Sequence, residues 1–303
     1  LFQTIPGLWE CPDMFEMDVV DKNGKKTGKK YWIVSRGGVE YFIGTFDGNE
    51  FVPMTANNPN DAYKFVRFSD NRYHQPDCLR RVTWKGGYYA AQTFANAPDG
   101  RHIQVSWLND GKVLDHSPGS PFECLLSFPV ELTLRDTGEG LVLEHMPVKE
   151  IEKIYSQKHE IKNLVLKEGV TENPLPLKSA LLDIDVTFDA ANAKEFGLEV
   201  LGEKIVYKVK DQRLFAFRAY DDKKDEWRDS STLAPLKNGK ISLRILVDRS
   251  SIEISINNGV YRTTALIYPQ TDEVKLNFIS EGGRAKIEKL VVNEIECEQA
   301  SAN

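Results

Sequence analysis

The chain has 303 residues, 41% of them hydrophobic, which is enough for one large or two ordinary globular domains. Its formal net charge is −6 with acidic and basic residues mixed along the length, so it carries no basic stripe to neutralise a nucleic-acid backbone. No run approaches the ~20 apolar residues of a membrane-spanning helix, and we therefore predict neither a nucleic-acid partner nor a membrane span.

The first chemical signal along the chain is the segment 9–15, Trp-Glu-Cys-Pro-Asp-Met-Phe, on what we expect to be a strand leaving a turn. An aromatic residue and a cysteine beside Glu10 favour partial desolvation, which stabilises the protonated carboxyl that a general acid needs. The alternative is an exposed Glu10 and a turn-forming Asp13, which burial statistics favour when the segment is considered without any family.

Short runs rich in Val, Ile, Tyr, Phe and Thr follow one another along the chain. They are separated by the glycine turns Asn23-Gly24, Asp47-Gly48, Lys85-Gly86-Gly87, Asp99-Gly100, Asp110-Gly111 and Asn238-Gly239. Many short strands at this spacing are typical of sandwiches, barrels or propellers and not of parallel sheets with crossover helices. The sequence predicts an all-β protein.

The segment 148–159 is the main exception, because its apolar residues fall at helical spacing among Lys and Glu. Either a short helix or an extended linker there would join two modules. The composition changes at the same place, from aromatic clusters before it to aliphatic strands such as 241–247 after it. We therefore divide the chain into modules at 1–148 and 149–303.

The strongest strand signal is 252–257, where Ile252, Ile254 and Ile256 alternate with polar residues. This period of two predicts that the three isoleucines share one buried face. Asn258-Gly259 follows and is typical of a hairpin turn.

Metal-binding residues are dispersed along the chain. Neither the cysteines (Cys11, Cys78, Cys124, Cys297) nor the histidines (His74, His102, His116, His145, His159) show the short paired spacing of a zinc site. We predict no metal; the cysteines permit disulfides without requiring them.

Taken in order, several segments resemble glycoside hydrolase family 32, the invertases, levanases and inulinases. Glu-Cys-Pro-Asp at 10–13 resembles the acid/base motif of that family. Further resemblances, in the family's order, lie at 41–48, 89–94, 100–109, 129–135, 248–254 and 278–283. Together they extend over nearly the whole chain.

The resemblance implies a five-bladed β-propeller, of which residues 1–148 supply about three blades, followed by a β-sandwich over 149–303. It makes Glu10 the general acid/base and Asp13 a residue that shapes its surroundings. Trp9 and Trp84 are candidate surfaces for stacking on sugar rings. Arg81 and Gln92 are candidate hydroxyl donors to substrate, or else structural residues.

Two departures from the family pattern affect the expected function. The family's nucleophile lies in an Asn-Asp-Pro context and its transition-state-stabilising aspartate in an Arg-Asp-Pro context, and neither tripeptide occurs here. A retaining glycosidase needs two carboxyl groups ~5 Å apart. Thr83 and Gly87 also stand where family members commonly have acidic residues. We therefore expect a missing N-terminal propeller segment to supply the nucleophile and to cover an open strand edge.

The resemblance thus implies a retaining hydrolase of levan, inulin or sucrose that needs no cofactor, since two carboxylates carry the chemistry. Secretion, to a periplasm or a cell surface, suits degradation of a polymer. The alternative is a non-catalytic carbohydrate-binding or structural remnant of such an enzyme. An upstream Asn-Asp-Pro and Arg-Asp-Pro would favour the enzyme, and their absence would favour the remnant.

Overall fold

A computed structural model of the chain describes residues 9–37, 40–55, 65–68, 71–74, 78–83, 87–108, 125–221, 226–267, 269 and 274–296. For residues 65–68, 71–74, 217–221 and 226–230 only the backbone is described. Strands dominate this part of the chain, so the all-β prediction is confirmed.

The strands of the first half form what we name the N-terminal unit, β1 to β12. They are β1 (Asp13–Val20), β2 (Lys26–Arg36), β3 (Glu40–Phe46), β4 (Phe51–Pro53), β5 (Phe65–Phe68), β6 (Asn71–His74), β7 (Arg80–Arg81), β8 (Tyr88–Thr93), β9 (His102–Leu108), β10 (Leu125–Leu126), β11 (Val130–Asp136) and β12 (Leu141–Pro147). A short 3-10 helix, Pro98–Gly100, precedes β9.

Ten of these strands form one sheet, whose main path runs β10-β9-β11-β1-β2-β3-β4. Strands β1 to β4 are an antiparallel meander, the arrangement found in a propeller blade. The C-terminal end of β1 pairs in parallel with β11 at Val19 and Val20, which joins the meander to the later strands of the unit. The open strand edge stays a prediction. The number of blades stays a prediction.

The linker between the halves is a 3-10 helix, Lys149–Ile154, from which a strand begins directly at Tyr155. The helical spacing therefore predicted one short turn correctly but did not extend to residue 159. Ile151 is buried, whereas Ile154, the last residue of this helix, is exposed.

The strands of the second half form the C-terminal unit, β13 to β24. They are β13 (Tyr155–Leu166), β14 (Gly169–Glu172), β15 (Leu182–Asp189), β16 (Glu195–Val200), β17 (Glu203–Lys208), β18 (Arg213–Asp221), β19 (Glu226–Leu233), β20 (Lys240–Val247), β21 (Ser251–Ile256), β22 (Tyr261–Leu266), β23 (Leu276–Glu281) and β24 (Ala285–Ile295).

These strands form two six-stranded sheets, β13-β24-β15-β20-β21-β22 and β14-β23-β16-β17-β18-β19. Apolar side chains from both sheets meet in one fully buried core, as expected of a β-sandwich. Ile252, Ile254 and Ile256 are all in that core, so the predicted face is confirmed.

The polar face of β21 is buried as well, because the N-terminal unit packs against it. The Ser255 hydroxyl donates a hydrogen bond to the carbonyl of His145 at 2.9 Å, and the Phe128 amide donates to the Glu253 carboxylate at 2.7 Å. Glu253 in turn accepts from the guanidinium of Arg262 at 2.7 Å, and both side chains are almost completely buried. The two units therefore share a polar, hydrogen-bonded interface.

Gly259, in the β21–β22 turn, lies directly against the backbone of His145 in this interface. Its φ is +77°, and a Cβ there would stand 2.3 Å from the carbonyl oxygen of His145. Gly239 has the same φ of +77°, but a Cβ there would meet nothing within 4 Å. An alanine at Gly239 would therefore cost only the left-handed backbone conformation, whereas an alanine at Gly259 would cost that conformation and the steric contact with His145.

We expect Gly259→Ala to lower the free energy of unfolding by about 2 kcal/mol more than Gly239→Ala does, because overpacking adds about 1–3 kcal/mol to the cost of a left-handed alanine. Urea unfolding of the two variants measures the difference. Equal stabilities within about 0.5 kcal/mol would contradict the close approach.

Candidate active site

The segment that carries Glu10 lies beside the end of β2 and the turn after it. Antiparallel pairing places Asp13 opposite Ser35, and the Gly37 amide donates a hydrogen bond to the backbone carbonyl of Glu10 at 2.8 Å. Cys11 adopts a positive φ of 45°, an uncommon conformation for a non-glycine residue that turns the chain sharply just after Glu10. The local backbone thus fixes where the Glu10 side chain begins.

Glu10 is exposed, so the described residues do not supply the desolvation that we expected for a general acid. Its carboxylate accepts a hydrogen bond from the hydroxyl of Tyr89, on β8. That hydrogen bond raises the pKa of Tyr89 to about 12, with burial as the second cause. Tyr89 therefore keeps its proton at neutral pH and acts as a hydrogen-bond donor to Glu10.

Strand β8 is held against the Glu10 segment by a set of further hydrogen bonds. The Ala90 amide donates to the Gly37 carbonyl at 3.0 Å, and the Gln92 side chain donates to the Cys11 carbonyl at 3.0 Å. A Cβ on Gly37, whose φ is +59°, would stand 3.3 Å from the Tyr89 ring. Gly37 thereby allows the ring to approach Glu10.

Asp13 anchors the other end of the segment. One of its carboxylate oxygens accepts from the Thr93 amide at 2.8 Å and from the Thr93 hydroxyl at 2.7 Å, and the other accepts from the Met14 amide at 2.9 Å. Burial lowers the pKa of the nearby His102, an effect that the charge of Asp13 opposes. In this structure Asp13 positions the backbone around Glu10.

Trp9 is half-buried and packs on Phe42, with ring centroids 6.0 Å apart and the rings nearly parallel at 11°. The Arg36 guanidinium lies 4.8 Å from the centroid of the Trp9 ring. Part of the surface predicted to stack on sugar is therefore in contact with protein groups. Trp84, the other predicted stacking residue, lies outside the described residues.

Arg81 belongs to a chain of ion pairs behind the site. Glu40, which is buried, accepts from Arg36 at 2.7 Å through one carboxylate oxygen and from Arg81 through the other. Arg36 in turn contacts Trp9, so this chain connects β7 to the residue preceding Glu10. The structure thus gives Arg81 a structural partner, and its role as a hydroxyl donor stays a prediction.

The structure brings four of the predicted site residues together, namely Trp9, Glu10, Asp13 and Gln92. It adds Tyr89, Thr93, Gly37 and the pair Arg36 and Glu40, which the sequence did not single out. The only signal for Tyr89 was its place in the aromatic pair Tyr88-Tyr89, at the start of the family-like segment 89–94.

Chemically, the described site offers one exposed carboxylate with a phenol donor beside it. The other two carboxylates of the region, Asp13 and Glu40, are engaged in hydrogen bonds or ion pairs. Among the residues that the structure describes, no group of three or more His, Cys, Asp or Glu side chains could hold a metal ion. The arrangement suits proton transfer to and from a bound substrate.

No helix in the described part of the chain is both long enough and apolar enough to cross a membrane.

Comparison with known families gives two matches that together span nearly the whole chain. Residues 3–145 match the glycosyl hydrolases family 32 N-terminal domain, and residues 150–294 match the family 32 C-terminal model. These two matches place the chain, by family, among the glycosyl hydrolases. The chain belongs to glycoside hydrolase family 32.

Among known proteins, the levanase of Bacillus subtilis (strain 168) is 31% identical over 315 residues, covering 95% of this chain and 42% of that protein. The extracellular exo-inulinase of Aspergillus awamori is 26% identical, covering 91% of this chain and 53% of that protein. The chain thus spans about half the length, or less, of these relatives.

Solved structures show the same fold. The exo-inulinase of Aspergillus awamori has a TM-score of 0.73 at 22% identity, with 95% of this chain and 57% of that chain covered. Fructan 1-exohydrolase IIa of Cichorium intybus has a TM-score of 0.67 at 21% identity, with coverages of 96% and 62%. These likenesses agree with a β-propeller followed by a β-sandwich.

Proposed function

We propose that this chain is part of a retaining fructan hydrolase that acts on levan, inulin or sucrose, with Glu10 as its general acid/base. The observation that carries the proposal is the position of Glu10 in a chain of family 32: the motif 10–13 is anchored to β8 at three places, and the Glu10 carboxylate is left exposed beside the hydroxyl of Tyr89. The names of the relatives, levanase and exo-inulinase, support the substrate class.

In this mechanism Glu10 protonates the glycosidic oxygen of the departing sugar while the second carboxylate attacks and takes up the fructosyl group as a covalent intermediate. Glu10 later removes a proton from the water that hydrolyses this intermediate and releases the second carboxylate. Tyr89, as the hydrogen-bond donor to Glu10, holds the carboxylate in place through both steps. Trp9, Trp84, Arg81 and Gln92 are the proposed substrate contacts. Two carboxylates suffice for this chemistry, so we propose no cofactor.

We further propose that the nucleophile comes from a polypeptide segment outside this sequence. Protonation of the leaving group contributes about 10²–10⁴-fold in rate, which is far below a typical enzymatic acceleration. A second carboxylate must stand about 5 Å from Glu10. Neither Asn-Asp-Pro nor Arg-Asp-Pro occurs in the sequence, and Asp13 and Glu40 are already engaged.

The modules of this enzyme are proposed to meet near residue 148, at 1–148 and 149–303. Support comes from the 3-10 helix Lys149–Ile154, which separates the N-terminal sheet from the sandwich, and from the two family matches, which end at 145 and begin at 150. Secretion from the cell is also proposed, by analogy with the extracellular exo-inulinase.

The proposal is tested by assaying fructose release from levan, inulin and sucrose with the 303-residue chain and with the product of the full reading frame. We expect turnover only from the longer protein. Robust turnover by the short chain would contradict the external nucleophile. A longer protein that contains both tripeptides and yet releases no fructose would contradict the hydrolase itself.

The upstream sequence decides between this function and the non-catalytic alternative. A reading frame without either tripeptide, together with binding of fructan but no hydrolysis, is the result expected of a carbohydrate-binding or structural remnant.

A further inference from the structure

A cavity of about 290 Å³ lies between the two units, and of the described site residues proposed above only Arg81 lines it. Residues of β3 and β7 and of the β11–β12 turn form its N-terminal wall. The segment 235–237 and the β21–β22 turn, with the start of β22, form its C-terminal wall. Glu10, Trp9 and Tyr89 are not among its lining residues.

Arg80 is the unusual group in this cavity, because it is a guanidinium that is only 8% exposed. It donates hydrogen bonds to the backbone carbonyls of Cys78 and Thr55, both at 3.3 Å, and a longer one to that of Met54. Within the described part of the chain no carboxylate forms an ion pair with it. A buried cation without a counter-charge is costly, since desolvation is not repaid by Coulombic attraction.

Burial lowers the pKa of Arg80, which reflects the same desolvation. Its neighbour Arg81 also lines the cavity but is already paired with Glu40. The exposed Lys237 and Glu139 lie on the cavity wall as well, one of each charge. With Arg80, Arg81 and Lys237 against Glu139, the charged side chains that line the cavity are in positive excess.

Two tyrosines line the same cavity and supply neutral donors. Burial raises the pKa of Tyr261 to about 12, and burial also raises the pKa of Tyr41, so both phenols keep their protons at neutral pH. Tyr41, Tyr261 and Arg80 all line this one cavity. Among the described residues, none hydrogen bonds to the Tyr261 hydroxyl.

We propose that this cavity is a binding site for a small oxyanion of the phosphate class, held by Arg80 with the hydroxyls of Tyr41 and Tyr261 and attracted by Lys237. A phosphate group would supply the missing counter-charge and would accept several charge-assisted hydrogen bonds at once. The cavity has room for the anion together with a small organic group. The site joins the two units, and it does not depend on the proposed hydrolysis.

Isothermal titration of the 303-residue chain with inorganic phosphate, in sodium chloride at constant ionic strength, tests the proposal. We expect saturable binding of one phosphate with a Kd of about 1 mM. Titration with methyl phosphate in a second arm distinguishes free phosphate from a phosphate ester as the preferred ligand. Absence of saturable binding of either probe would overturn the site.

Variants locate the binding. Tyr261→Phe removes only the hydroxyl, and Lys237→Gln removes only an exposed charge. Each of these two variants is expected to raise the Kd for phosphate about fivefold. A folded Arg80→Gln variant is expected to lose phosphate binding altogether. Lys29→Gln is the matched control, because it removes an exposed charge from the lysine-rich β1–β2 hairpin. Binding that weakens with Lys29→Gln, or that is unchanged in both Tyr261→Phe and Lys237→Gln, would overturn the proposal.

Discussion

Glu10→Gln, introduced into the product of the full reading frame, is expected to lower kcat/KM for levan or inulin by about 10²–10⁴-fold. Glutamine keeps the shape of the side chain and can still accept a hydrogen bond from Tyr89, but it cannot give a proton to the leaving oxygen or take one from water. The measurement is the initial rate of fructose release at several substrate concentrations. The loss is expected mainly in kcat, because the proton is transferred in the transition state.

Two further variants show whether this loss comes from the chemistry of Glu10. Glu16→Gln, at an exposed position on β1 paired with Lys30, is the matched control and is expected to retain full activity. Tyr89→Phe removes the donor to Glu10 and is expected to cost about tenfold, the equivalent of one hydrogen bond to a charged group. An active Glu10→Gln enzyme would remove Glu10 from the mechanism.

The sequence predicted the part of this site whose residues are close together along the chain. Glu10 and Asp13 lie in one short motif, and the residue types of that motif are enough to identify both as site candidates. Tyr89 is 79 residues away, and what brings its hydroxyl to Glu10 is the contact of β8 with the turn at Gly37. No periodicity in the sequence reports that contact, so Tyr89 was found only in the structure.

The fold shows the same division between local and long-range information. The alternation in β21 correctly predicted that its three isoleucines point into one core, since a strand repeats every two residues. The same alternation would usually leave Glu253 and Ser255 in solvent. Both are buried because the N-terminal unit covers that face, and their polar groups are hydrogen-bonded across the interface.

The second large effect is expected at this interface, where Arg262→Met should lower the free energy of unfolding by about 3–5 kcal/mol at pH 8. The substitution leaves Glu253 buried without its ion-pair partner and also removes the guanidinium that lies 5.0 Å from the centroid of the Tyr88 ring. Urea unfolding at pH 8 measures the change. Arg249→Met, at an exposed position, is the matched control and should change stability by less than about 0.5 kcal/mol.

The size of this effect should depend on pH through Glu253. Burial raises the pKa of Glu253 to about 7, against the opposing charge of Arg262, so the folded state holds its proton more tightly than the unfolded state does. The stability associated with Glu253 is therefore greatest below its unfolded pKa of about 4.5 and is lost as the pH rises through about 7. Removing Arg262 raises the pKa of Glu253 further, which makes this loss larger.

Arg262→Met should thus be less destabilising at pH 5, where the buried carboxyl is protonated, than at pH 8. Burial lowers the pKa of His145 to about 3, so His145 is neutral in the folded state at both pH values. Its contribution to the pH dependence of stability largely cancels when the variant is compared with the parent protein at the same pH. The double variant Arg262→Met with Glu253→Gln removes both charges and should recover much of the stability lost at pH 8. A loss that is equal at pH 5 and pH 8, or a double variant no more stable than Arg262→Met, would show that packing of the arginine side chain, and not its charge, holds the two units together.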